Sequence, residues 1–220
     1  MKKRTVYQLI VDRSGSMAGM QHQVISGYNE QLQAAQGVQS RYPDQEIVMG
    51  LRFFDHNVDN NVADYRLVND LLPLSLYDYQ VKGSTALLDA IGKSIYDIKT
   101  RFGHQITNED TSVVMIIITD GHENASRMYT YEDIRRMVSE LEATEKWSFT
   151  FMGADLDAIG ASRSFGINPD NTLSFDKGDY ARVTKHYFVN AAESYANSKA
   201  KNIKSNNFFS IFKDKDIRKK

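Results

Sequence analysis

Five oxygen-bearing side chains, Asp12, Ser14, Ser16, Thr85 and Asp120, fall in three short stretches of common chemical character. Asp12-Arg13-Ser14-Gly15-Ser16 alternates small oxygen donors along a tight loop, with Gly15 permitting the turn between the hydroxyls. Gly83-Ser84-Thr85-Ala86-Leu87 opens a helical stretch, and Thr119-Asp120-Gly121-His122-Glu123-Asn124 follows a Val/Ile-rich run. Two carboxylates and three hydroxyls suit a hard divalent cation such as Mg²⁺, with Mn²⁺ or Ca²⁺ as alternatives. Two carboxylates only just neutralise such an ion, so it would stay electrophilic and seek an anionic sixth ligand.

The same chain argues against other site chemistries. It has no cysteine, which removes disulfide frameworks, thiolate nucleophiles and thiolate metal sites. His22, His56, His104 and His186 show no ligand spacing, against a zinc site, and His122 beside Asp120 is given no role. The enzymatic alternative is a Mg²⁺-dependent phosphohydrolase with Asp12 as nucleophile. It needs a second acid, commonly an Asp two residues on, and a lysine for the phosphate, whereas position 14 is serine. Neither a Gly-x-Ser-x-Gly elbow nor a Gly-x-x-x-x-Gly-Lys loop is present, so the chain is not expected to be an enzyme. Glu123 and Asp89 stand either as solvated carboxylates or as orienting partners of the oxygen set.

What must position these residues is legible from hydrophobic patterning. Val6–Val11, Ile47–Phe54, Val113–Ile118 and Trp147–Met152 have the strand signature, and the near-continuous runs are those of strands buried on both faces. Helical spacing links Met20, Val24, Tyr28, Leu32 and Ala35, then Leu87, Ile91, Ile95, Ile98 and Phe102. It returns at Ile134, Val138 and Leu141, and at Tyr180, Val183, Tyr187, Ala191 and Tyr195. The connection before Asn60–Val68 is too short for a crossover helix, which predicts an antiparallel edge strand there. Thr172–Phe175 reads as a last weak strand, with Asp179 as N-cap of the final helix. The expected fold is α/β, a Rossmann-like three-layer sandwich. Its mostly parallel central sheet has about six strands, one of them an antiparallel edge, with helices on both faces. In such sheets ligands bind beyond the carboxyl ends of the strands, where all three oxygen-bearing loops should open.

Asp-x-Ser-x-Ser after the first strand, Thr85 in a Gly-Ser-Thr-Ala-Leu turn, and Thr-Asp-Gly after a Val/Ile-rich strand together resemble the metal-ion-dependent adhesion site of the von Willebrand factor A domain. The resemblance covers about residues 4 to 198. It implies that Ser14, Ser16 and Thr85 are hydroxyl ligands, and that Asp12 and Asp120 act directly or through water. It also implies that a Glu or Asp carboxylate from a partner protein fills the open position, and that the closing helix, here about Asp179 to Ala200, can slide. The Thr-Asp-Gly-His-Glu-Asn form and Phe151-Met152-Gly153-Ala154-Asp155-Leu156-Asp157-Ala158 look most like free-standing intracellular bacterial and phage members.

At 220 residues the chain has room for one domain, residues 1 to 198, and a tail, 199 to 220. The net charge of −1 offers no global case for nucleic acid, and no apolar run matches a bilayer span. That average divides unevenly. Residues 199 to 220 carry eight basic and two acidic side chains, +6, leaving 19 basic against 26 acidic, −7, for the body. The tail's Phe208-Phe209-Ser210-Ile211-Phe212 cluster suggests contact with a membrane surface or acidic partner, or else packing back onto the domain. Met1-Lys2-Lys3-Arg4 mimics the head of a secretory signal, but Val6–Val11 is short and runs into Asp12, so a cytosolic protein is expected. The leading functional expectation is a metal-dependent protein-binding module. A self-assembling scaffold, in which one protomer's carboxylate fills the next one's site, is the other non-enzymatic alternative.

Overall fold

The computed structural model describes residues 3–154, 157–203 and 207–209. Its sheet has six strands in the order β3-β2-β1-β4-β5-β6. They are β1 (Lys3–Asp12), β2 (Gln45–Phe54), β3 (Ala63–Leu67), β4 (Thr111–Thr119), β5 (Trp147–Ala154) and β6 (Thr172–Phe175). All neighbours pair in parallel except β2 with β3, the antiparallel edge. The α/β sandwich expected from the patterning is the fold observed.

Period-two alternation with apolar residues on both sides lets the sheet feed two cores. Tyr7, Leu9 and Val11 of β1 face a cluster completed by α1 (Gln21–Arg41) and α5 (Tyr180–Ala200). Val6 and Ile10 face the opposite cluster, with α2 (Leu87–Asn108) and α3 (Tyr131–Glu142). The short α4 (Ala158–Ser164) covers the β5 end of that second face. Central β4 is buried along its whole length, as a strand covered by helices on both sides must be.

One local expectation is corrected, and a second holds in position without the expected side-chain bond. The edge strand spans Ala63–Leu67 rather than Asn60–Val68. Its pairing with β2 slips between Met49 and Leu51, Tyr65 takes a left-handed φ of 48°, and Val68 enters a 3₁₀ turn. Such a bulge breaks the alternation that marks a strand in sequence. Asp179 does stand at the N-cap of α5, but its side chain makes no capping bond. It accepts from Arg182 Nε and Nη2 at 3.1 and 2.9 Å instead.

Part of the tail lies among the described residues. Phe208 and Phe209 are buried, with the Phe208 ring 5.8 Å from Tyr7, Phe188 and Tyr195. At these two positions the aromatic cluster packs back onto the domain; Ser210, Ile211 and Phe212 lie outside the described residues.

Candidate metal centre

The parallel register sets the site. Val11 pairs with Ile118, so β1 delivers Asp12 and β4 delivers Thr119 and Asp120 to the same edge. The third loop is stitched to the first by backbone bonds: Gly15 N–H donates to Gly83 O at 2.9 Å and Lys82 N–H to Arg13 O at 2.8 Å. Gly83 has a φ of +71°, and a Cβ there would lie 2.1 Å from His56 Nδ1, so only glycine carries the chain through this turn. Thr85 is tied to the β4 loop, its N–H donating to Asn124 Oδ1 at 2.8 Å and its carbonyl accepting from Asn124 N–H at 3.0 Å.

Within this frame a chain of hydrogen bonds joins four of the five oxygen-bearing side chains. Asp12 Oδ1 accepts from Ser14 N–H at 2.7 Å, and Ser14 Oγ lies 3.1 Å from Ser16 Oγ. Ser16 Oγ donates to Asp120 Oδ1 at 2.7 Å. Thr85 joins them through space around Gly121. A Cβ placed on Gly121 would meet Thr85 Oγ1 at 3.2 Å, Ser16 Oγ at 3.4 Å and Asp12 Oδ2 at 3.7 Å. Three donors from two loops therefore converge beside a glycine of the third, which has no side chain.

The electrostatics suit a cation. Asp12 is fully buried, and desolvation pushes its carboxyl up to about 6 against the lowering effect of hydrogen bonds from Thr119 and Ser14; the nearby Asp120 charge adds to the rise. The Asp120 side chain is 0% exposed. Arg13, between Asp12 and Ser14, does not neutralise them. Its guanidinium is held by Asp55 at 2.7 Å and Asp59 at 2.8 Å. Among the described residues no three His, Asp or Glu side chains gather as a metal-binding group, so ligation here would depend on the hydroxyls.

Several residues of the site were not singled out for the roles they occupy. Thr119 Oγ1 donates to Asp12 Oδ2, Tyr79 OH donates to the Asp12 carbonyl, and Lys177 reaches Asp120 from the turn before α5. Glu123 and Asp89 are both engaged structurally. Glu123 accepts from Leu88, Ala125 and Ser126 N–H groups, and Asp89 from those of Arg127, Met128 and Tyr129. Together they fasten the loop after β4 to the start of α2. His122 lines a neighbouring cavity of about 220 Å³ with Leu87, Tyr131, Phe151 and Phe165.

No family profile and no curated protein sequence matches the chain. Solved structures do. The pilus adhesin SpaC from Lactobacillus rhamnosus GG, in its open conformation, superposes with a TM-score of 0.66 at 14% identity, over 88% of this chain and 30% of that one. A von Willebrand factor type A protein from Catenulispora acidiphila gives 0.60 at 13% identity, over 87% and 43%. Proximal thread matrix protein 1 from the mussel byssus, with a zinc-occupied metal-ion-dependent adhesion site, gives 0.54 at 13% identity, over 87% and 46%. The chain has the von Willebrand factor A fold. It spans 30 to 46% of the length of these three proteins. Among its described residues no helix is long and apolar enough to cross a membrane.

Proposed function

We propose that the protein is a metal-dependent protein-binding module in which a divalent cation, held by Asp12, Ser14, Ser16, Thr85 and Asp120, ligates a Glu or Asp carboxylate of a partner protein. The observation that carries this reading is the convergence of Asp12 Oδ2, Ser16 Oγ and Thr85 Oγ1 around Gly121. Every donor is a hard oxygen, and the carboxylates are withdrawn from water, a combination that fits Mg²⁺ better than a softer ion. Once bound, such an ion supplies a Lewis-acidic position for an anionic oxygen.

The chain's own residues account for the rest. Thr119 and the Ser14 N–H orient Asp12, while Ser16 Oγ donates its hydrogen bond to Asp120 Oδ1 and keeps a lone pair for ligation. The zinc-occupied site of the byssus protein supports divalent occupancy in this fold, and the pilus adhesin supports a binding role for it. Cytosolic residence and a bacterial or phage source belong to the same proposal. They rest on the sequence resemblance and on a chain without cysteine.

The test is isothermal titration with Mg²⁺ and Mn²⁺, paired with affinity capture from host lysate in Mg²⁺ and elution by chelator. Binding to the captured partner should be lost both on EDTA treatment and in Asp12→Ala, while circular dichroism shows that variant folded. Partner binding that survives both changes overturns the proposal.

A further inference from the structure

The residue that completes the centre comes from a fourth loop. Lys177 lies in the 3₁₀ turn Lys177–Asp179 that links β6 to α5. Its ammonium sits 2.7 Å from Asp120 Oδ2 and donates to the Ser16 carbonyl at 3.1 Å. We infer that Lys177 is a resident counter-ion of this centre, holding Asp120 in the metal-free protein and competing with the divalent cation for it. The inference rests on the metal-binding reading of the site.

Three features of the geometry carry it. First, the two oxygens of Asp120 are not equivalent: Oδ1 accepts from Ser16 Oγ, which leaves Oδ2, the atom that faces Lys177, as the one with its acceptor sites free of hydrogen bonds among the described residues. Second, the Lys177 contact is a charge pair without directed hydrogen bonding. Oδ2 is buried and has no partner of hydrogen-bond geometry among the described residues, although the ammonium is 2.7 Å away. An ionic contact of that kind can be replaced by another cation without breaking a geometric fit. Third, the Lys177 side chain is 36% exposed, so its stem can carry the ammonium out to water, whereas Asp120 at 0% exposure cannot leave.

Charge supplies the reason for competition. Asp12 and Asp120 bring two negative charges, and the ammonium cancels one of them. A divalent ion arriving at the same oxygen meets a positive charge within a few ångströms in a desolvated setting, where like-charge repulsion is strong. Lys177 must withdraw for the ion to take full hold of Asp120. The lysine thus stabilises the apo site and raises the metal concentration needed to fill it.

The experiment compares Mn²⁺ binding by calorimetry, and by the free-Mn²⁺ electron paramagnetic resonance signal, in the wild type, Lys177→Met, Lys177→Gln and Lys177→Arg. Both neutral variants should bind Mn²⁺ about tenfold tighter or more, as expected when a nearby like charge is removed, while Lys177→Arg stays near wild type. Urea melts in EDTA give a second readout, independent of any partner. The neutral variants should be less stable than wild type without metal and should gain more from Mn²⁺. Unchanged or weaker Mn²⁺ binding in both neutral variants overturns the inference while leaving the metal site intact. So does equal tightening in Lys177→Arg, since charge would then not be the cause. If no variant and no wild-type protein binds Mn²⁺, the metal-binding reading itself fails, and this inference with it.

Discussion

Thr119 Oγ1 donates a 2.6 Å hydrogen bond to Asp12 Oδ2, and both side chains are fully buried. The bond crosses from β4 to β1 and fixes which way the carboxylate faces. Thr119→Val keeps the volume and removes the donor. Loss of such a supporting partner typically costs about 10- to 100-fold in metal affinity. Stability in chelator should fall as well, by about 1–2 kcal/mol for the buried group left short of a partner. Calorimetric titration with Mn²⁺ checks the first effect and urea melts the second; an unchanged Mn²⁺ affinity would mean that Thr119 does not orient a ligand.

Gly121 is the cheapest place to block the centre without unfolding it. A methyl group there stands 3.2 Å from Thr85 Oγ1 and 3.4 Å from Ser16 Oγ, in the space the oxygens share. Only side-chain tips must give way, so Gly121→Ala should change unfolding free energy in EDTA by about 0.5 kcal/mol or less, as for other mild surface changes. Metal binding should drop below detection. Wild-type affinity in this variant would show that the ion, if bound, sits elsewhere.

Glu123 serves the site at one remove. Its Oε2 accepts from Leu88 N–H at 2.9 Å, satisfying an otherwise orphaned donor in the first turn of α2, and its Oε1 accepts from Ala125 and Ser126 N–H groups at 2.8 and 2.7 Å. A carboxylate at a helix N-terminus is favoured by the helix dipole as well. Glu123→Ala should cost about 2 kcal/mol in stability, since several charge-assisted bonds are lost together. Hydrogen exchange should quicken at Leu88, Ala125 and Ser126. Protection equal to wild type at these amides would contradict the stapling role.

Much of the architecture follows from patterns within a few residues of one another. Apolar runs such as Val113–Ile118 announce strands covered on both faces, and the short link after Phe54 announces the antiparallel edge. Because parallel strands align their carboxyl ends, Asp12 and Asp120 had to share an edge once β1 and β4 were neighbours. Thr85 reaches the same edge through the irregular loop that precedes α2. Contacts set by register and loop closure are a different matter. No local period links Lys177 with Asp120, or Glu123 with Leu88; these pairs exist only once β6 and the start of α2 have been placed. The bulge opposite Met49–Leu51 and the left-handed Tyr65 likewise belong to tertiary packing, which is why the edge strand is shorter than its sequence suggests.

Phe208 turns part of the basic tail into core. Its ring is 0% exposed and touches Tyr7 of β1 together with Phe188 and Tyr195 of α5. Truncation of a buried phenylalanine costs about 3–5 kcal/mol, so Phe208→Ala should move the urea midpoint well below wild type. A change under about 1 kcal/mol, the scale of surface substitutions, would show that the segment does not help hold α5 against the sheet.

Glu142, the last residue of α3, brings a pH dependence of its own. Burial pushes its carboxyl up from an ordinary 4.5 to about 7, and the Phe149 N–H, 3.4 Å from Oε1, only partly offsets this. The C-terminal end of the helix adds repulsion of the same sign. Between pH 4.5 and about 7 the folded chain therefore holds this proton more tightly than the unfolded chain does. Stability from this group is complete below that window and falls as pH rises through it, because the unfolded state binds fewer protons there. Glu142→Gln keeps the position neutral at every pH. In urea melts the variant should match wild type near pH 4 and exceed it near pH 8, the gap opening across the window. A gap that is constant with pH would show that Glu142 is ionised in the folded protein as readily as in the unfolded one.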